Sequence, residues 1–204
     1  TSGLFEKLET NGTIQNLGIE KSYINNTRQN DMGGNAGSIC AENYGTIKRC
    51  YNTATIIGTA GIGGIVGANR GTITECYNTG NVEGTGHGGI SGTAAYSYTY
   101  VGGFAGENSG IITNCYNIGK IKGKYNRTGG IAGNTAQNST INNCYNIGKV
   151  EGSSDVGGIV GYSDQRDITK CFNVGEIEGK SEVGGIIGNG YKASAISSCN
   201  IGNI

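Results

Sequence analysis

The sequence predicts an all-β fold, a parallel β-helix of about seven coils with about 27 residues and three short strands in each. Three observations lead there. A pattern returns along the whole chain with a period in the range that marks solenoids and propellers. The apolar runs within each period are short, rich in β-branched residues and separated by Gly, Asn or Thr, which reads as strand rather than helix. Glycine supplies 40 of the 204 residues and proline none. That much glycine costs a helix too much backbone entropy, and strands that each donate N–H groups to the next coil leave no place for proline.

Aligned on its glycine pair, the repeat begins at Gly63-Gly64-Ile65, Gly102-Gly103-Phe104, Gly129-Gly130-Ile131, Gly157-Gly158-Ile159 and Gly184-Gly185-Ile186, at separations of 39, 27, 28 and 27 residues. Before these, "AGSICAENYGTIKRCYN" (36–52) matches "GGIVGANRGTITECYN" (63–78), which sets Cys40 at the position of Val66. The chain opens on a further degenerate copy, "SGLFEKLETNGTIQNLGIEKSYI". The three strands expected per unit are typified by Ile65-Val66, by Ile73 through Asn78, and by Val82. Such a unit cannot bury an apolar face alone; stacked on its neighbour, it contributes to three parallel sheets round a shared core. A propeller blade needs about 40 residues and four strands, and fits poorly. Residues 1–204 are therefore expected to form one solenoid domain, with an inserted loop at about 85–100 accounting for the 39-residue spacing. Neither end shows an obvious polar cap, so the expectation is a fragment of a longer stack with flanking domains in the same polypeptide.

The strings "VGGIVG" (156–161) and "GTITECYNTGNVEG" (71–84) resemble the GLUG-motif repeat, and "GLFEKL…NGTIQNLGI" resembles the way such arrays begin. The resemblance covers essentially the entire chain. Repeats of this kind occur in large bacterial surface and secreted proteins, including adhesins and IgA-cleaving metallopeptidases. What it implies is a right-handed solenoid that works outside the cell, its signal and anchor lying beyond this chain. It implies no particular activity.

The bulk numbers exclude several classes. Formal net charge is +0 and the isoelectric point is near 6.5, which gives no electrostatic case for nucleic acid or an anionic membrane. No apolar run approaches the length of a membrane span. The opening "TSGLFEKLET" lacks the charged start and apolar core of a secretion signal.

The recurring Cys-aromatic-Asn triplet carries the obvious candidates for chemistry. Its cysteines are Cys50, Cys76, Cys115, Cys144, Cys171 and Cys199. They lie 26 to 39 residues apart in a chain with one histidine, whereas metal sites want paired ligands at short spacing; no metal or other cofactor is expected. Stacked coils put equivalent Cα atoms about 4.8 Å apart, within disulfide range, but parallel Cα–Cβ vectors do not give the torsion a disulfide requires. Free thiols are expected. In the opening copy Leu17 replaces the cysteine and Gly18 the aromatic residue. A position shared by Leu and Cys is interior, where burial raises a thiol's pKa and quenches it as a nucleophile. Two polar residues precede each cysteine, which predicts a bend there. The Asn column, Asn52, Asn78, Asn117, Asn146, Asn173 and Asn200, is read as an amide ladder at a corner rather than as ion or sugar ligands. Glu83, Lys122, Glu151 and Glu178 alternate with apolar residues and are expected on the solvent face, with Lys122 between Glu83 and Glu151. No paired acid and base in a groove is expected there, so the chain is read as non-catalytic.

One feature does not repeat. The insertion holds Tyr96, Tyr98, Tyr100 and the only histidine, His87. If extended, "YSYTY" presents its three rings on one face, either as a contact for a host protein or glycan or as a hairpin covering the solenoid. The function expected is a non-catalytic extracellular module, a rigid spacer or adhesion platform. The alternative is an accessory segment of a secreted hydrolase such as an IgA-type metallopeptidase. An ice-binding face would repeat Thr outward, whereas these outward positions mix Lys, Glu, Thr and Asn.

Overall fold

The computed structural model describes residues 2–27, 34–86 and 99–204. The chain is a right-handed parallel β-helix. Among the described residues the strands form five sheets, of seven, seven, seven, six and five strands, and every strand pairs in parallel with its equivalents in adjacent coils. The coil containing Cys76 shows the plan. Val66–Asn69 lies in the first sheet, Thr72–Thr74 in the second, Tyr77–Asn78 in the third and Val82–Gly84 in the fourth. Tyr100–Gly102, beyond the insertion, lies in the fifth.

Five strands stand where three apolar runs were read because the middle run is broken by one residue. The residue before each column cysteine has left-handed φ: 51° at Arg49, 54° at Glu75, 55° at Asn114, 51° at Asn143 and 51° at Lys170. This is the bend the paired polar residues predicted, and it turns the second sheet into the third. The corner residue with left-handed backbone is thus the one before the cysteine, not the column Asn to which the sequence reading gave that role. The fifth sheet, through the residues just before each glycine pair, was not separated from its neighbour in the sequence.

Register follows the repeat. Tyr77 pairs with Tyr51 and Tyr116, and Val66 with Cys40 and Ala105. The insertion leaves it intact: Val82 pairs with Ile56 and Ile121, and Val101 with Ile62 and Thr128. Thr99 Oγ1 donates to Gly86 O at 2.7 Å, drawing the two ends of the insertion together.

The interior is stratified by column. Ile47, Ile73, Ile112, Ile141 and Ile168 pack with the cysteines and with Ile39, Ile65, Phe104, Ile131 and Ile159 in the larger core cluster. Ile56, Ile62, Val82, Val101 and Ile121 form a second cluster behind the fourth and fifth sheets. The glycine pair is a packing requirement. A Cβ on Gly63 would sit 2.0 Å from Val66 O, and one on Gly64 would sit 2.6 Å from the Asn78 side chain. The same second-glycine contact recurs between Gly103 and Asn117, Gly130 and Asn146, and Gly158 and Asn173. The glycine pair and the asparagine therefore recur together because one makes room for the other.

Candidate functional site

The triplet splits into two inward columns and one outward column. Cys50, Cys76, Cys115, Cys144 and Cys171 are buried and free. Each thiol donates to the carbonyl two residues back, at 3.1–3.3 Å, satisfying an oxygen beside the left-handed bend. Burial pushes the thiol of Cys40, at the Val66 position in the first sheet, up to about 12, and raises Cys115 well above its ordinary value.

Cys199 does not belong to this column, contrary to the sequence reading. Phe172 pairs with Cys199 and Asn173 with Asn200, which places Ser198 opposite Cys171. Ser198 Oγ donates to Ile196 O at 3.1 Å and accepts from Cys171 N at 3.0 Å, so a hydroxyl takes the place of the column thiol. Cys199 instead occupies the outward aromatic position and is exposed.

The asparagines form a continuous buried ladder. Asn52 Nδ2 donates to Asn78 Oδ1 at 2.8 Å, Asn78 to Asn117 at 2.8 Å, Asn117 to Asn146 at 2.7 Å, Asn146 to Asn173 at 2.8 Å, and Asn173 to Asn200 at 2.7 Å. Each Nδ2 also donates to the carbonyl two residues on, such as Gly119 O for Asn117 at 2.8 Å. These amides are spent on the fold. A second ladder escaped the sequence reading: Asn43 donates to Asn69 at 2.7 Å, Asn69 to Asn108 at 2.8 Å, and Thr135 to Ser163 at 2.9 Å follows it. Its signal was the Asn of "AENYG", "GANRG" and "GENSG".

The outward column is where side chains are available. Tyr51, Tyr77, Tyr116 and Tyr145 stack in file, with centroids 4.9, 5.3 and 5.1 Å apart and ring planes within 9°. Phe172 follows in register and is 49% exposed. Two residues on, and so on the same face, runs a column that changes from Thr53 and Thr79 to Ile118, Ile147, Val174 and Ile201. The aliphatic members are 46–73% exposed. The third sheet thus carries an aromatic file beside an exposed aliphatic file, a ribbon running along the solenoid. Its signal in the sequence was the "Cys-Tyr-Asn-Ile" alternation, in which Tyr and Ile flank an inward Asn.

Of the insertion's candidates, His87, Tyr96 and Tyr98 lie outside the described residues. Tyr100 heads a strand of the fifth sheet, half-buried, and pairs with Gly61. The Arg127 guanidinium lies 5.4 Å from its ring centre and 4.1 Å from that of Tyr162. Arg127 also donates to Asn134 Oδ1 at 3.0 Å and pairs with Asp155 at 3.6 Å. Asp155 accepts from Asn189 at 3.0 Å, and its hydrogen bond with Glu182 raises the Glu182 carboxyl above its usual range. This polar knot was not foreseen, although each of Arg127, Asp155 and Glu182 stands two residues before a glycine pair.

On the fourth sheet, Lys122 meets Glu83 at 3.0 Å. Glu151 is taken by Lys120 at 2.8 Å and Lys149 at 3.4 Å, rather than by Lys122. The Lys120 hydrogen bond holds the Glu151 carboxyl below its usual range. Among the described residues no group of three or more His, Cys, Asp and Glu side chains is placed to hold a metal ion, and no helix is long and apolar enough to cross a membrane.

Comparison with known proteins agrees with this architecture. Residues 97–122 match the GLUG motif. The crystal structure of a "putative immunoglobulin A1 protease" from Bacteroides ovatus superposes with a TM-score of 0.67 at 22% identity, covering 94% of this chain and 69% of that one. At that identity the likeness speaks to the fold. A search of curated proteins finds no match.

Proposed function

We propose that this GLUG-motif solenoid is a non-catalytic repeat module of an extracellular bacterial protein, serving as a rigid spacer and as a contact platform for host protein. The observation that carries the reading is the third sheet: a fully hydrogen-bonded amide ladder on its inner side and an exposed aromatic and aliphatic ribbon on its outer side. The inner ladder locks each coil to the next, so bending would break buried hydrogen bonds. The ribbon leaves large apolar side chains in water along one line, which marks an interaction surface more often than a bare scaffold. The inward cysteines, Cys50 to Cys171, and the asparagines from Asn52 to Asn173 support a structural role, being buried and engaged.

The test is a binding screen of the purified protein against immobilised mucosal and serum proteins and glycans. An Ile118→Ser/Ile147→Ser/Val174→Ser variant runs beside it. Binding to at least one protein that falls about tenfold or more in the variant supports the platform. Retained binding in the variant, or binding to glycans alone, overturns it. An antiserum against the protein should label intact cells of the bacterium that makes it; signal confined to lysed cells would remove the extracellular assignment.

A second reading is favoured by the likeness to the Bacteroides ovatus protein. In it the solenoid is an accessory segment of a secreted hydrolase, holding a substrate that a domain elsewhere cleaves. That reading expects the protein to bind immunoglobulin A1 without cleaving it.

A further inference from the structure

The ribbon has a period of its own. Tyr116 and Ile118 make one outward row, Tyr145 and Ile147 the next, and Phe172 and Val174 a third. The aromatic members are in register. Beside the aliphatic members, Ile147 N donates to Asn117 O and Val174 N to Asn146 O, each at 2.8 Å. Every row has a coil on either side, with Tyr77 paired to Tyr116 before them and Cys199 to Phe172 after, so the rows are exposed laterally. Ile118, Ile147 and Val174 are 46–48% exposed, Tyr145 41% and Phe172 49%. Two residues of strand, about 6.6 Å, separate the two files. Between them Asn117, Asn146 and Asn173 turn inward and are fully buried, so no side chain rises from the strip that divides the files. The polar border stands back from it. Lys120 and Lys149, next to the aliphatic file, are drawn toward Glu151 on the fourth sheet, at 2.8 and 3.4 Å. In the coil before these rows the aliphatic position is held by Thr79.

We propose that these rows receive an amphipathic α-helix of a partner protein, laid along the solenoid axis with one apolar side chain seated between each pair of neighbouring rows. Spacing selects the helix. The Tyr116 and Tyr145 rings of successive rows lie 5.1 Å apart. Apolar residues that repeat every 3.5 positions along a helix advance by about 5.25 Å, and so stay in step across all three rows. An extended peptide laid the same way presents a side chain to one face every ~6.6 Å, and is out of step by about 3 Å at the third row. Width agrees, since a helix with its side chains is about 10–12 Å across and covers both files. Four side chains from two adjacent rows surround each seat, as four residues surround a knob in a coiled coil. Area argues against a second copy of this chain. Half-exposed side chains of this size leave on the order of 100 Å² apiece in water. The five most exposed together fall short of the roughly 800 Å² per partner of a standard interface, whereas a helix is held by a few anchors along one stripe. The inference rests on reading the ribbon as a contact surface, and names the kind of element that surface takes.

The probes are three peptides of one composition, each of about 18 residues with Leu in an Ala, Glu and Lys background, long enough for a helix to be populated. In the first the leucines repeat every 3.5 residues on one helical face, in the second they alternate with polar residues, and in the third they are scattered round the helix. Each is titrated under reducing conditions while the methyl resonances of Ile118, Ile147 and Val174 are followed. The first peptide should shift those methyls, gain helicity by circular dichroism and bind about tenfold or more tighter than the other two. Ile147→Lys sets a charge in the middle of the strip and should weaken that binding about tenfold or more. Ile111→Lys, at an exposed position of the second sheet, should leave it unchanged. Thr79→Ile extends the strip by a row and should tighten a longer peptide with one further leucine about threefold or more. Equal binding of the scattered peptide, unchanged binding in Ile147→Lys, or shifts centred away from the three methyls would overturn the proposal. So would a concentration-dependent dimer that Ile147→Lys abolishes, since a second copy would then be the occupant. Host-protein binding that fails in the Ile118/Ile147/Val174 variant yet is not displaced by the first peptide would sink this proposal and leave the platform standing.

Discussion

Asn117 is fully buried and makes three side-chain hydrogen bonds, accepting from Asn78 and donating to Asn146 and Gly119. Removing its amide orphans the Asn78 donor and the Asn146 acceptor at once. With about 1–3 kcal/mol for each unsatisfied buried group, Asn117→Ala should cost about 3 kcal/mol, read as a lower urea midpoint at unchanged slope. A loss under about 0.5 kcal/mol would mean that neighbouring amides re-pair across the gap. The thiols divide differently. A thiol-reactive disulfide reagent should modify Cys199 alone in the folded protein and the other six only after denaturation, because Cys199 faces out and the rest face in. A native count of zero would restore Cys199 to the interior. The sequence already showed the interior character of the column through Leu17, and the amide ladder through the Asn period. It misplaced Cys199 because identity of residue was taken as identity of position. At the bend the fold asks for a small hydrogen-bond donor beside a carbonyl, and Ser198 meets that demand as well as cysteine.

At the scale of the strand, the bend between the second and third sheets recurs with residues that resist it. Glu75 and Lys170 sit at φ 54° and 51°, a conformation that costs a residue with a Cβ roughly 1–2 kcal/mol and glycine little. Glu75→Gly should therefore stabilise the protein, by about 0.5 kcal/mol once the unfolded chain's added freedom is counted. Thermal unfolding would show a rise of a few degrees at most, and a fall would mean that the glutamate side chain contributes more than its backbone costs. The paired polar residues before each cysteine made this bend legible. The extra sheet was not, because alternation alone does not separate a strand from the turn that follows it when both are glycine-rich. The ribbon was missed for another reason. The sequence reading gave a contact role to the unrepeated Tyr96, Tyr98 and Tyr100 and none to the repeated tyrosines. Period-two alternation, applied to "CYNIG", puts Tyr and Ile on the same outward face.

Across the whole molecule, each coil touches mainly its neighbours, so energetic coupling should decay with coil separation. The pair Asn117→Ala/Asn146→Ala shares a hydrogen bond and should deviate from additivity by about 0.5–3 kcal/mol, whereas Asn52→Ala/Asn173→Ala, four coils apart, should add within about 0.5 kcal/mol. Equal coupling in both pairs would point to a globally concerted stack instead. The sequence showed this one-dimensional organisation through its period and through the insertion that lengthens one coil without shifting register. What it could not show is direction. In both amide ladders every hydrogen bond between coils runs from the Nδ2 of the earlier coil to the Oδ1 of the later one. The stack is consequently vectorial: its amide ladder runs in one direction from Asn52 to Asn200, and Ile19 stands in register where the preceding amide would be. A strand that follows the file beyond Asn200 continues it only by offering an acceptor, and Ile19 offers none, so the amides give this stack no means of repeating itself head to tail.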